Sequence, residues 1–110
     1  MEEPITEMVA DYFQALTHPR RIEILELLKD GHEMCVCEIV RELKRDQSCI
    51  SRHLIALKGA GVVEFRSQGV RSFYKVRNNE VYRILDLVKS ILQKQIREEQ
   101  KMLNKSILIF

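Results

Sequence analysis

Cys35-Val36-Cys37 sets two thiols two residues apart at the head of an apolar helical pattern, and thiols placed there invite ion chemistry. At a helix start the unpaired backbone N–H groups and the positive end of the dipole favour thiolate over thiol. Thiolates in turn select soft, thiophilic ions. On a regular helix, residues i and i+2 point about 200° apart, so both sulfurs reach one ion only where the first turn is distorted. The alternative reading is two small, partly buried cysteines with no ligand role. Three cysteines in a short chain read as cytosolic do not make a disulfide framework, because the compartment is reducing and the number is odd. Cys49, the third, lies on the order of 13 Å along the motif from Cys35 and falls outside the same site within one subunit. It fills a small-residue slot or serves as an oxidisable thiol. His32 offers a nitrogen ligand or is simply a turn residue, and His53 is either packed or contacts phosphate.

The elements that position these groups are legible from periodicity. Val9, Phe13 and Leu16, with Met8 and Tyr12 beside them, predict a first helix over about 5–16, ending before Thr17-His18-Pro19. Pro19 fits the first turn of a second helix, whose Ile22, Leu25 and Leu28, widened by Ile24 and Leu27, run to a stop at Asp30-Gly31. A short third helix is expected from about Cys35 to Leu43 with Ile39, Val40 and Leu43 inward, followed by a tight polar turn at Lys44-Arg45-Asp46. The fourth, about Gln47 to Ala60, buries Ile50, Leu54 and Leu57; counting 100° per residue turns Ser48, Ser51, Arg52, Ile55 and Gly59 outward. Residues 62–66 and 71–77 have strand composition around Ser67-Gln68-Gly69-Val70 and predict a β-hairpin. A long helix, about 79–103, keeps Val81, Ile84, Leu85, Val88, Ile91, Leu92 and Ile96 on one stripe, prolonged by Met102 and Leu103. That stripe is longer than a three-helix core can cover. With no repeat, low-complexity tract or linker, residues 1–110 read as a single domain, mainly α with a small β-hairpin.

A short helix, a turn of about three residues and a second helix with a polar outer face form a helix-turn-helix, here about 35–60, and the basic hairpin at about 62–77 is its wing. Charge follows the same division. Residues 1–40 carry three Lys/Arg against nine Asp/Glu, residues 41–77 nine against three, and residues 78–110 six against four, so the middle third is the basic face. Such a segment suits a polyanion, although solvated surface charge is the bland alternative. Gln47, Ser48, Ser51 and Arg52 offer donors and acceptors to base edges, with His53 beside them. Lys44, Arg45, Lys58, Arg66, Arg71, Lys75 and Arg77 suit phosphates.

With 45% hydrophobic and 31% charged residues in 110, the chain has the profile of a helix-rich soluble protein, not a collagen-like or disordered one. That length is also near the size at which subunit association adds useful burial. No apolar run approaches a membrane span, and Met1-Glu2-Glu3-Pro4 lacks the pattern of a signal peptide, so a cytoplasmic location is expected. There is no phosphate-cradling glycine loop, nucleophile elbow or paired acid and base, and the chain is not read as an enzyme. A thiol-redox-responsive repressor and a winged helix used for protein association through Ile107-Leu108-Ile109-Phe110 are the competing functions.

Three segments carry a family resemblance: Leu16-Thr17-His18-Pro19-Arg20-Arg21-Ile22-Glu23-Ile24-Leu25, Glu33-Met34-Cys35-Val36-Cys37-Glu38-Ile39, and the run from Gln47-Ser48-Cys49-Ile50-Ser51-Arg52-His53-Leu54 to Gly61-Val62-Val63. In this order and spacing they resemble successive signatures of the ArsR/SmtB metalloregulators, over about Val9 to Leu92. The resemblance implies a winged-helix homodimer, paired through the first and last helices, that represses its operon on double-stranded operator DNA and leaves when an inducer binds. It implies no obligatory cofactor. In the ArsR branch the Glu-x-Cys-Val-Cys segment is similar to the trivalent arsenic and antimony site, which makes Cys35 and Cys37 the ligands and arsenite or antimonite the inducer. A coupling of ~1–3 kcal/mol between that site and DNA suffices for derepression. Val40 stands where many arsenic-responsive members have a third Cys, leaving a two-Cys site finished by solvent or a small ligand. The zinc-sensing pattern is missing from the last helix, where Asp86 is followed by Leu87 and Val88 and no His follows His53. The N-terminal Cys-rich extension of a cadmium or lead site is also missing.

Overall fold

Ile50, Leu54 and Leu57 form the fully buried stripe around which the other elements gather. The structure, a computed structural model, describes residues 4–109, with side chains to 105. In chain order the elements are α1 (Ile5–Ala15), α2 (Pro19–Leu27), β1 (Met34–Cys35), α3 (Val36–Leu43), α4 (Gln47–Gly59), β2 (Val63–Gln68), β3 (Arg71–Val76) and α5 (Val81–Ile109). They fall into two compact units, one ending at Asn79 and one from Glu80 onward.

In the first unit, α4 packs against α2, α3 and β2. Its stripe shares a core with Ile24 and Leu25 of α2, Leu28 just beyond that helix, Ile39 of α3, and Val62 and Val63. Each such side chain contributes about 1.5–3 kcal/mol by leaving water. Local chemistry sets the boundaries. His18 caps α2, its Nδ1 accepting from the Arg20 N–H at 3.1 Å, and Pro19 occupies the first turn, where its missing N–H costs nothing. After Leu27 the chain makes a 3₁₀ turn at Lys29–Gly31, with Asp30 and Gly31 both at positive φ. Lys44 ends α3 in the left-handed region at φ 54°, and Asp46 caps α4 by accepting from the Cys49 N–H at 3.2 Å. The far end of α4 closes in a Schellman arrangement, Val62 N–H to Leu57 C=O and Gly61 N–H to Lys58 C=O, both 2.9 Å. Gly61 sits at φ 79°, which a β-carbon would strain.

The predicted hairpin is present, joined by the two-residue loop Gly69-Val70, and Gly69 supplies the positive φ that such a tight loop needs. One element escaped the sequence reading. Cys35, expected at the head of a helix, instead forms with Met34 a short strand paired antiparallel with Phe73 and Tyr74, making a three-stranded sheet of order β1-β3-β2 among the described residues. Two residues are too few to show alternation, and the partner strand alone makes them extended.

In the second unit α5 begins close to the expected position and runs past it to Ile109. Val81, Tyr82 and Leu85 are buried, whereas Leu87, Val88, Ile91, Leu92, Ile96, Met102 and Leu103 are exposed. In the first unit α1 likewise exposes Ile5, Met8, Val9 and Phe13. No helix among the described residues is long and apolar enough to cross a membrane. The side chains of Ile107-Leu108-Ile109-Phe110 lie outside the described ones.

Candidate nucleic-acid interface and thiol site

The outer face of α4 carries the residues that angular counting assigns to it. Ser48, Arg52 and Gly59 are exposed, Ser51 is half-buried, and Ile55 is 65% exposed; Gln47 and Lys58, on the same helix, are exposed too. Ser48 Oγ donates to Asp46 Oδ2 at 3.2 Å, so this hydroxyl also braces the cap. Lys44 and Arg45 are exposed in the preceding turn. An α-helix with this polar face, leading into a hairpin, has the form that enters a major groove while the hairpin reaches the flanking backbone.

The wing's cations differ in their freedom. Arg66 donates to both oxygens of Glu33 at 2.6–3.1 Å and lies over the Phe73 ring at 4.8 Å. That guanidinium holds the Glu33 carboxyl below the usual carboxylate range, and Glu33 raises Arg66. Lys75 pairs with Glu64 at 3.5 Å, and Lys58 Nζ sits 3.8 Å above Phe65, which stacks on Tyr74. Arg71, at the turn into β3, is exposed and has no ion pair among the described residues. Arg77 is also exposed. Glu33 was not singled out from sequence; its signal, an acid beside the thiol segment opposite a basic hairpin, acquires meaning only through β1–β3 pairing.

His53 takes the packed alternative. It is 8% exposed, its Nδ1 accepts from Arg21 Nε at 3.1 Å, and its ring lies 4.3 Å from that of His18. Burial above all, and then the positive charges of His18, Arg21, Arg52 and Arg20, lower its pKa. A neutral ring accepting at Nδ1 ties α4 to α2 and stands behind the outer face.

The thiols meet at the junction of β1 and α3. Cys35 caps α3 in extended conformation, at φ −79° and ψ 163°, and Cys37 lies in the first helical turn. Because Cys35 is outside the helix, the 200° separation expected of i and i+2 does not apply. The Cα atoms are 5.4 Å apart and the two sulfurs are joined as a disulfide, against the expectation that these cysteines stay unpaired. Proximity imposed by the strand–helix junction is the physical reason. The Cys35 N–H donates to Glu38 Oε1 at 3.1 Å, fixing the turn. Cys35 is 2% exposed and Cys37 is open to solvent. Cys49 keeps a free thiol, half-buried on α4.

Beside the pair lies a cavity of about 260 Å³ bordered by Cys35, Cys37, Gln47, Val70, Arg71 and Ser72. The start of α4 and the start of β3 therefore face the thiols across one space. Two sulfurs that converge, one of them accessible, fit a thiophilic ion once reduced. Among the described residues no three His, Cys, Asp or Glu gather around an ion, so the pair has no third donor of those types. His32 is exposed in the turn and does not border the cavity.

Residues 18–64 match the family described as bacterial regulatory protein, arsR family. The chain is 44% identical over 82 residues to an uncharacterized HTH-type transcriptional regulator of Methanocaldococcus jannaschii, covering 74% of this chain and 92% of that protein. It is 29% identical over 82 residues to the cadmium resistance transcriptional regulatory protein CadC of Listeria innocua, covering 74% and 69%. Among solved structures, a homodimeric winged helix-turn-helix DNA-binding domain from Mycobacterium bovis, described as a possible ArsR-family transcriptional regulator, superposes with a TM-score of 0.73 at 32% identity, covering 86% of each chain. These relatives are DNA-binding transcriptional regulators rather than enzymes. The helices and wing thus agree with the sequence likeness, and the chain belongs to the ArsR family of winged helix-turn-helix transcriptional regulators.

Proposed function

We propose that this protein is a cytoplasmic, homodimeric repressor that binds operator DNA through α4 and the wing and is released when trivalent arsenic or antimony binds Cys35 and Cys37. The observation that carries the reading is the convergence of those sulfurs at the β1–α3 junction, one cavity away from Gln47 and Arg71. The exposed apolar faces of α1 and of α5 are the natural dimer surfaces, since each leaves large side chains uncovered. Gln47, Ser48, Ser51 and Arg52 meet base edges, while Lys44, Arg45, Lys58, Arg71, Lys75 and Arg77 meet phosphates.

The ligand-ready state is the dithiol. It forms from the disulfide with two equivalents of a cellular thiol, which leave as their own disulfide, so two electrons and two protons pass to the protein. The test is fluorescence anisotropy of reduced protein on the promoter upstream of its own gene, with and without arsenite, for wild type and Cys35→Ser/Cys37→Ser. Arsenite releases DNA from wild type and leaves the double variant bound. Release that persists in the double variant would overturn the assignment.

The Cys35–Cys37 disulfide favours a second reading, a redox-responsive repressor. Two thiols and one peroxide give the disulfide and two waters, closing the same junction without any ion. Thiol trapping under peroxide, with DNA affinity followed in parallel, separates the two: loss of affinity that tracks disulfide formation supports oxidation as the signal.

A further inference from the structure

We propose that Arg71 is the missing partner of the two-thiol site, hydrogen-bonding the oxygen that a trivalent arsenic or antimony ligand retains after Cys35 and Cys37 have bound it. This rests on the thiol assignment above and extends it to the wing. Arsenous acid brings three oxygens. Two cysteine thiols displace two of them: two As–O and two S–H bonds break, two As–S bonds form, two waters leave, and arsenic remains trivalent. One hydroxyl is left. Inside the protein that oxygen needs a donor, and the cavity of about 260 Å³ beside the sulfurs supplies Gln47, Arg71 and Ser72. Of these, Arg71 brings charge and five N–H donors in a fixed fork, so it makes the strongest bond to oxygen.

The other cations of the sheet lie against carboxylates and do not border the cavity. Glu33 holds Arg66 and Glu64 holds Lys75, whereas Arg71 has no ion pair among the described residues and borders the thiols. Arg71 is also positioned for the DNA backbone, at the turn of the wing. A guanidinium drawn into the cavity is withdrawn from phosphate. Ligand and DNA then compete for one side chain, and the coupling between the sites needs no large movement of α3. Reciprocity requires that bound DNA weaken the ligand by the same factor.

The test is calorimetric titration of reduced, full-length protein without DNA, using arsenite and, separately, phenylarsine oxide. The second probe binds two thiols with loss of one water and keeps a phenyl group in place of the hydroxyl. A ring fits the space, since a cavity of about 150 Å³ holds benzene. Arg71→Gln is expected to weaken arsenite about tenfold, the effect of removing one charge-assisted hydrogen bond, and to leave phenylarsine oxide within about twofold. Arg77→Gln, a wing cation that does not border the cavity, is expected to change neither. On DNA, Arg71→Gln makes the salt dependence shallower by about one unit.

Wild-type arsenite affinity in Arg71→Gln, alongside lost affinity in Cys35→Ser/Cys37→Ser, overturns the role of Arg71 and keeps the thiol assignment. Equal weakening of both probes in Arg71→Gln also overturns it, because Arg71 would then shape the cavity without meeting the oxygen. Undiminished arsenite binding by the double serine variant overturns the thiol assignment itself.

Discussion

The recognition helix α4 is held in two contrasting ways. On its inner flank His53 is buried, accepts from Arg21 and lies tilted against the His18 ring, and no buried side-chain polar atom among the described residues lacks a partner. At its first turn Gln47 borders an open cavity with Cys37 exposed beside it. A densely packed, fully bonded contact fixes an orientation. A sparsely packed one opens at lower free energy and is where a ligand can act. Stability and responsiveness are thereby assigned to different parts of one helix, its middle and its first turn, and substitutions at the two should separate them.

The largest effect is expected at the packed contact. His53→Leu leaves Arg21 Nε without its acceptor and should cost about 1–3 kcal/mol in urea-induced unfolding at neutral pH. The same substitution changes the pH profile. Because burial lowers the folded pKa of His53, the unfolded chain takes up a proton that the folded one resists. Its contribution to stability is complete above the ordinary value of about 6.5 and is lost as pH falls from there through the lowered folded value, with a slope of at most about 1.4 kcal/mol per pH unit. His53→Leu should flatten that segment of the curve. An unaltered slope would show that another group carries the acid sensitivity.

A smaller effect, on the wing, tests whether an exposed ion pair also restrains a cation. Glu33 adjoins β1 and clasps Arg66 across the sheet. Glu33→Gln frees that guanidinium for phosphate, and each added phosphate contact steepens the dependence of log affinity on log salt by about 0.9. DNA titrations between 50 and 200 mM salt, a range over which such slopes are readily measured, should show the variant steeper by roughly that amount. An identical slope would place Arg66 away from the DNA backbone.

The contrast between the packed and the open contact also explains what the sequence disclosed. Helix α4 and its outer face were legible because Ile50, Leu54 and Leu57 repeat at helical spacing and because Asp46 and Gly61 chemically mark its limits. The wing was legible from strand composition on either side of Gly69. Strand β1 was not, since Met34 and Cys35 are extended only by virtue of Tyr74 and Phe73, some forty residues later. That one omission made the thiol pair look sterically incompatible and concealed the clasp between Glu33 and Arg66. His53 was ambiguous for a related reason: its position between the buried stripe and the outer face is resolved by Arg21 and His18, which come from another helix. Local pattern shows elements, and sites assembled from several elements need their packing.

The smallest change in stability is expected at Cys37, and there it accompanies the largest change in response. Cys37 is exposed, so under reducing conditions Cys37→Ser removes little packing and should leave the urea midpoint within about 0.5 kcal/mol of wild type. Arsenite-dependent release from DNA should nevertheless disappear, because a single thiol at Cys35 cannot chelate. His53→Leu should show the opposite combination, weakened folding with arsenite release retained in whatever fraction is folded. Should Cys37→Ser instead lower stability as much as His53→Leu, the strand–helix junction would be a structural staple rather than a sensor, and the division between a fixed and a responsive contact of α4 would fail.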